Sequence, residues 1–154
     1  MALVQRVAAL QSAELTARRI TLSVDRPDDL PALMAEPDAI GQVVTNLLQN
    51  AGRYTNDGGE VRVMLRREGD WMRCTIENTG AGIPPDELPY IWERLYRVDR
   101  SRARTSGGAG IGLAIVRQIV EAHGGEVGAS SGDGRTRIWF QLPVRQARTG
   151  GRLR

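Results

Sequence analysis

TSGGAGIGLAIV, residues 105–116, sets a cluster of glycines directly ahead of an apolar run with helical spacing. A glycine loop that opens a helix is a ready-made phosphate cradle, because backbone N–H groups and the positive end of the helix dipole converge there. Three familiar versions of that cradle do not fit. A P-loop needs a lysine after its second glycine, and all 21 basic residues of this 154-residue chain are arginine. The dinucleotide fingerprint G-x-G-x-x-G fails because Leu113 stands where the third glycine belongs after Gly108 and Gly110. The protein-kinase loop lacks its H-R-D and D-F-G companions. The glycines need partners elsewhere in the chain.

Working outward, GIGLAIVRQIVEAHGG (110–125) reads as a helix closed by glycines, followed by the strands EVGASS and TRIWFQLP around the turn GDG. Upstream lie a polar stretch, DRSRARTSGG, a bulky segment, PYIWERLYRV, and a glycine-proline loop, GAGIPPDEL. Before them, EVRVMLRRE and WMRCTIENT alternate apolar and polar residues around Gly69-Asp70, the pattern of a hairpin. Still earlier, Ile40, Val43, Val44, Leu47, Leu48 and Ala51 recur at the spacing of one helical face after Glu36-Pro37-Asp38. Residues 3–19 read as a first helix and ITLSV as a short strand. This order favours helices packed on one face of a mixed sheet.

Composition bounds the rest. The length suits one compact domain with a real core, and no apolar run approaches the roughly 18 residues of a membrane span. No signal peptide is visible. A lone cysteine, Cys74, permits no internal disulfide, fits a reduced compartment, and reads as a small core residue. The net charge is only +3. Arg145, Arg148, Arg152 and Arg154 crowd the last ten residues, so the all-arginine basic set reads as codon bias rather than a nucleic-acid surface.

Opposite the apolar stripe of the 36–55 helix, Asn46, Asn50 and Arg53 share one polar face. Asparagine is a mediocre helix former whose side chain competes for backbone hydrogen bonds. Near a triphosphate, though, a carboxamide oxygen is a neutral, hard ligand suited to Mg²⁺, which takes the rest of its shell from water and phosphate. A set without carboxylates holds little metal until nucleotide brings the negative charge.

Four segments in order, NLLQNAGRYT (46–55), ENTGAGIPP (77–85), IWERLYRVDRSRA (91–103) and GGAGIGLAIVRQIVEAHGG (107–125), resemble the conserved boxes of the ATP-binding catalytic domain of sensor histidine kinases. That superfamily also holds gyrase, the heat-shock chaperone ATPase and mismatch-repair ATPases. The resemblance runs over roughly residues 36–143, and the long 91–103 linker with the ending EAHGG favours the kinase branch. It implies a Bergerat-type α/β two-layer sandwich, a mixed sheet of about five strands with three helices on one face. It implies residues 20–144 as the catalytic domain, 1–19 as a helical connection to a missing dimerisation and phosphoacceptor domain, and 145–154 as a disordered basic tail.

The resemblance also implies roles. Asn50 matches the magnesium-coordinating asparagine, and Asn46 the second polar position, facing the phosphates and the incoming histidine. Arg53 and Tyr54 match residues lining the nucleotide. Gly80 and Gly82 let backbone pass close to the adenine, with Ile83 packed on the base and Thr136 supporting the pocket. Tyr96 and Arg97 match a lid hinge, from which Arg100, Arg102 and Arg104 reach the terminal phosphate. Gly108, Gly110, Ile111, Gly112 and Leu113 match the lid's other hinge and the phosphate-facing start of the last helix, which answers what kind of loop 105–116 is. The cofactors implied are ATP and Mg²⁺.

One position departs from the family pattern. Asn78 stands where an aspartate usually accepts from the adenine amino group. Its amide still accepts, but the charge-assisted part of that bond is lost, so ATP is expected to bind several-fold more weakly than with aspartate. The single histidine, His123 in EAHGG, reads as closing the last helix and not as a phosphoacceptor.

The expected function is donation of the γ-phosphoryl group of Mg–ATP to a histidine on a separate dimerisation domain, with a response regulator downstream. The parent is expected to be membrane-anchored and homodimeric, and this domain cytoplasmic and monomeric when isolated. The alternatives are an anti-sigma-type serine kinase and a non-catalytic nucleotide-binding module.

Overall fold

The computed structural model of the chain describes residues 2–31, 33, 35–93 and 112–144. Among them, three α-helices lie against one five-stranded sheet: α1 (Ala2–Ala17), β1 (Thr21–Asp25), α2 (Pro37–Tyr54), β2 (Glu60–Glu68), β3 (Trp71–Thr79), a 3-10 turn (Leu88–Tyr90), α3 (Gly112–Ala122), β4 (Glu126–Gly132) and β5 (Arg135–Pro143). The sheet order is β1-β2-β3-β5-β4, with β1 parallel to β2 and every other neighbour antiparallel. This is the two-layer α/β sandwich expected from the sequence.

Local chemistry explains the elements. The hairpin bounds follow from alternation: Val61, Val63 and Leu65 of β2 and Met72, Cys74 and Ile76 of β3 fill the core face. Gly69, at φ 62°, supplies the positive φ of the tight turn between them. Asp133 (φ 56°) and Gly134 (φ 74°) do the same between β4 and β5, both in the left-handed region that a two-residue hairpin turn of this hand requires. Helix α2 starts with Glu36 as N-cap, its side chain accepting from the Asp38 N–H at 3.3 Å, and Pro37 in the first turn. Its stripe from Ile40 to Ala51 is buried, and Val43 and Val44 are fully inaccessible. Val116 and Val120 of α3 complete the layer.

Helix α1 belongs to the same core: Val4, Val7, Ala8 and Leu15 are buried in it, against α2 and β1. Just past its end, Arg18 closes α2. Its guanidinium donates to the carbonyls of Gly52 and Thr55, the latter at 2.6 Å, and to Asp57 Oδ1 at 2.9 Å. A planar fork at a helix C-terminus satisfies carbonyls that have no intrahelical partner and opposes the negative end of the dipole. Arg18→Ala is expected to lower unfolding free energy by about 1–3 kcal/mol in urea denaturation. Asp57→Asn should change it by less than about 0.5 kcal/mol, because Asp57 is 63% exposed. Equal losses from the two would contradict capping as Arg18's contribution.

His123 closes α3 as expected, with Nδ1 donating to the Ile119 carbonyl at 2.9 Å, and does one thing more. Its Nε2 accepts from the Glu36 N–H at 3.2 Å, tying the end of α3 to the N-cap of α2. Burial of Cys74 pushes its thiol up to about 12, in keeping with an inert core residue. No helix among the described residues is long and apolar enough to cross a membrane. The lid positions Tyr96, Arg97, Arg100, Arg102, Arg104, Gly108, Gly110 and Ile111, and the tail 145–154, lie outside the described residues.

Candidate functional site

The polar face of α2 meets the start of α3. Asn46 Nδ2 donates to the Gly112 carbonyl at 3.3 Å, so the Gly112 end of α3 is held beside the asparagine face. No acidic residue occupies the first turn of that helix. Leu113 packs against the core and fixes the helix there. One turn beyond Asn46, Asn50 is half-buried, as are Arg53 and Tyr54. Asn46 is engaged, whereas the Asn50 amide and the Arg53 guanidinium have no side-chain partner among the described residues. That is a donor set for an anion and a hard cation together: neutral oxygens, one fixed positive charge and a helix N-terminus. The described residues hold no group of three or more His, Cys, Asp or Glu suited to a metal ion, so the donor set fits Mg²⁺ only in company with phosphate oxygens.

The C-terminal turn of α2 leads to the second half of the site. Gly80 sits so close to the Tyr54 carbonyl that a β-carbon would lie 2.7 Å from it, and its φ of 153° suits glycine. Its N–H donates to the Gly134 carbonyl at 3.1 Å. The 80–83 turn is thereby pinned between α2 and the β4–β5 hairpin.

Under that turn the core face of the sheet becomes polar. Asn78 pairs in register with Thr136, and Thr136 with Ser131, so the three stand in one row across β3, β5 and β4. Asn78 and Thr136 are 5% and 6% exposed. Asn78 Nδ2 donates to the Thr79 carbonyl at 3.0 Å, which leaves Oδ1 as the open acceptor. Ser131 Oγ accepts from the Ile83 N–H at 2.9 Å and lies 3.1 Å from Thr136 Oγ1. The neighbouring carboxylate, Glu77, is 6% exposed but points to the other face of the sheet, where Arg137 (2.7 Å) and Arg135 (3.5 Å) neutralise it. The polar row is therefore uncharged.

A polar helix face beside the Gly112 end of α3 and a glycine turn over a neutral polar row agree with what the family comparison finds. The family model described as "Histidine kinase-, DNA gyrase B-, and HSP90-like ATPase" matches residues 35–146. The chain belongs to this ATPase family. Among curated proteins, it is 36% identical over 131 residues to the sensor protein VanS of Enterococcus faecium, covering 85% of this chain and 34% of VanS. It is 41% identical over 126 residues to the adaptive-response sensory kinase SasA of Synechococcus elongatus, covering 80% of this chain and 32% of SasA. The ShkA crystal structure, a complex with AMPPNP, superposes with a TM-score of 0.81 at 29% identity, over 92% of this chain and 29% of ShkA. The chain thus spans about a third of the length of these curated relatives.

For this ATPase domain, the structure brings two groups of the expected residues together. Asn46, Asn50, Arg53, Tyr54, Gly112 and Leu113 form the helix side, and Asn78, Gly80, Gly82, Ile83 and Thr136 the sheet side, joined where Gly80 meets Tyr54. Ser131 was not singled out by the sequence. Only the β4–β5 register, which sets it opposite Thr136, reveals it.

Proposed function

We propose that this ATPase domain binds Mg–ATP between α2 and the 80–83 turn and passes the γ-phosphoryl group to a histidine on a separate helical domain. The observation that carries the reading is the Asn50–Arg53 face, whose side chains have no partner among the described residues, set beside the Gly112 end of α3 and one helix end away from a neutral polar row. The phosphates belong at the first, the base at the second. Mg²⁺, held by Asn50 together with phosphate oxygens, would neutralise the charge on the leaving diphosphate. Asn46 orients the start of α3, whose N–H groups take phosphate oxygens. Arg53 supplies the fixed positive charge, and Gly80 and Gly82 keep side chains out of the base's path. Transfer breaks the bond from the γ-phosphorus to the β,γ-bridging oxygen, forms a phosphorus–nitrogen bond and releases ADP. Such a reaction asks the protein mainly for position and charge.

The names of the relatives SasA, a sensory kinase, and WalK of Bacillus subtilis, a sensor histidine kinase, support a histidine as acceptor; a dimerising domain to carry it, a response regulator downstream and a cytoplasmic setting complete the proposal. Helix α1, at the N-terminal edge of the helical layer, is the element we assign to the connection with that acceptor domain.

The test is transfer itself. The chain, mixed with γ-labelled ATP, Mg²⁺ and a helical domain bearing an H-E-x-x-x-P histidine, is expected to label that histidine with an acid-labile phosphate. Acid-stable label on a serine would point to the anti-sigma type of kinase, and no label on any acceptor to a binding module.

Asn78 gives a further expectation. In the Asn78→Asp variant a buried carboxylate faces the Thr79 carbonyl, to which the amide now donates. The free protein should lose stability, by about 1–3 kcal/mol. ATP, whose amino group supplies the missing donor, should bind several-fold more tightly, because a charged acceptor bonds more strongly than a neutral one. Calorimetry on both proteins checks this, and equal or weaker binding by the aspartate variant would contradict it.

A further inference from the structure

Ser131 occupies the end of the polar row and touches both the turn over it and the hydroxyl beside it. Its Oγ receives the Ile83 N–H at 2.9 Å, so it anchors the backbone of the turn that closes over the row. A β-carbon on Gly82 would lie 2.6 Å from the same oxygen, so the turn and the hydroxyl are in direct contact. The same oxygen lies 3.1 Å from Thr136 Oγ1. The two hydroxyls own two protons, and one bridges them. The other has no acceptor among the described residues, so the pair presents one O–H donor outward. Next to it in register, Asn78 presents its Oδ1 as an acceptor, one N–H of its Nδ2 being taken by the Thr79 carbonyl.

We infer that Ser131 is a positioning residue that sets base selectivity: it fixes the Gly82–Ile83 turn and, with Oγ already accepting from Ile83, gives its own proton to Thr136 Oγ1, which leaves the Thr136 hydroxyl to donate outward beside the Asn78 acceptor. This rests on the reading of the site as one for ATP. Adenine answers that order with an amino donor beside a ring-nitrogen acceptor. Hypoxanthine presents the reverse, a carbonyl oxygen beside an N–H, and meets acceptor with acceptor. Without Ser131, the Thr136 hydroxyl rotates without a protein partner and accepts as readily as it donates, so the order is no longer enforced.

The experiment compares dissociation constants of non-hydrolysable ATP and ITP analogues for the native chain and for Ser131→Ala, with and without Mg²⁺. The native chain is expected to prefer the adenine nucleotide. Ser131→Ala is expected to reduce that preference roughly fivefold, the share of one neutral hydrogen bond. The factor by which Mg²⁺ strengthens binding should stay unchanged, since the Asn50 end is untouched. Ser131→Cys keeps the volume beside Gly82 but weakens both hydrogen bonds, and should shift the preference in the same direction while preserving the fold. A purely structural serine would weaken both nucleotides equally, and an unchanged ATP-to-ITP ratio in both variants overturns the inference while leaving the ATP reading intact. Failure of the native chain to bind either analogue overturns the ATP reading and this inference with it.

Discussion

Asn50→Ala should bind ATP with an affinity that Mg²⁺ no longer improves, and should transfer phosphate to a histidine acceptor about 10²–10³-fold more slowly than the native domain. The magnitude is that of losing one preorganised electrostatic contact at a reacting centre. The direction follows from the donor set: with Asn46 committed to the Gly112 carbonyl, Asn50 is the open carboxamide of the α2 face. Stability should hardly change, by less than roughly 0.5 kcal/mol, because the side chain is half-exposed and makes no hydrogen bond among the described residues. Isothermal titration with and without the cation, beside a thermal melt, separates the two effects. A variant whose ATP affinity still rises with Mg²⁺ would remove Asn50 from the cation's shell.

Gly80→Ala should do broader damage. The added β-carbon would lie 2.7 Å from the Tyr54 carbonyl, a backbone atom that cannot swing aside, and the residue's φ of 153° is one that alanine adopts only under strain. Strain and overpacking together are expected to cost about 2–4 kcal/mol, or roughly 5–15 °C in melting temperature for a domain of this size. Relief would come by parting the 80–83 turn from the last turn of α2, which separates the two halves of the site. Nucleotide affinity should therefore fall at least about tenfold beyond any loss of folded protein. Gly134→Ala is the control. It too has a positive φ (74°), but a β-carbon there meets nothing within 4 Å, so it should lose about 1 kcal/mol and leave affinity intact. If both variants weakened ATP equally, contact between Gly80 and Tyr54 would not be what aligns the site.

Much of this architecture was legible from sequence because local chemistry and global packing agree. The β2–β3 hairpin was read at its observed bounds, since alternation and Gly69 both speak for it. The α2 face was legible because two asparagines at helical spacing make poor surface choices otherwise. What escaped has no periodic signal. Ser131 becomes meaningful only through its register with Thr136. Arg18 reaches carbonyls 34 and 37 residues away. His123 was read as a helix end, yet its second bond is to a residue 87 positions back in the chain. Helix α1 was read as a connection, and its buried residues became apparent only once α2 and β1 supplied the surface they pack on.

Asn78 shows the same division at a single residue. Sequence alone exposes the missing charge but cannot say which end of the amide faces the ligand. The bond from Nδ2 to Thr79 orients the amide and leaves Oδ1 as its open acceptor.

The measurement that bears most directly on the whole account is calorimetric titration of the unmodified chain with a non-hydrolysable ATP analogue, in Mg²⁺ and again in EDTA. The account predicts saturable one-to-one binding that the cation tightens markedly. Binding of equal strength in both buffers, or none in either, would contradict it.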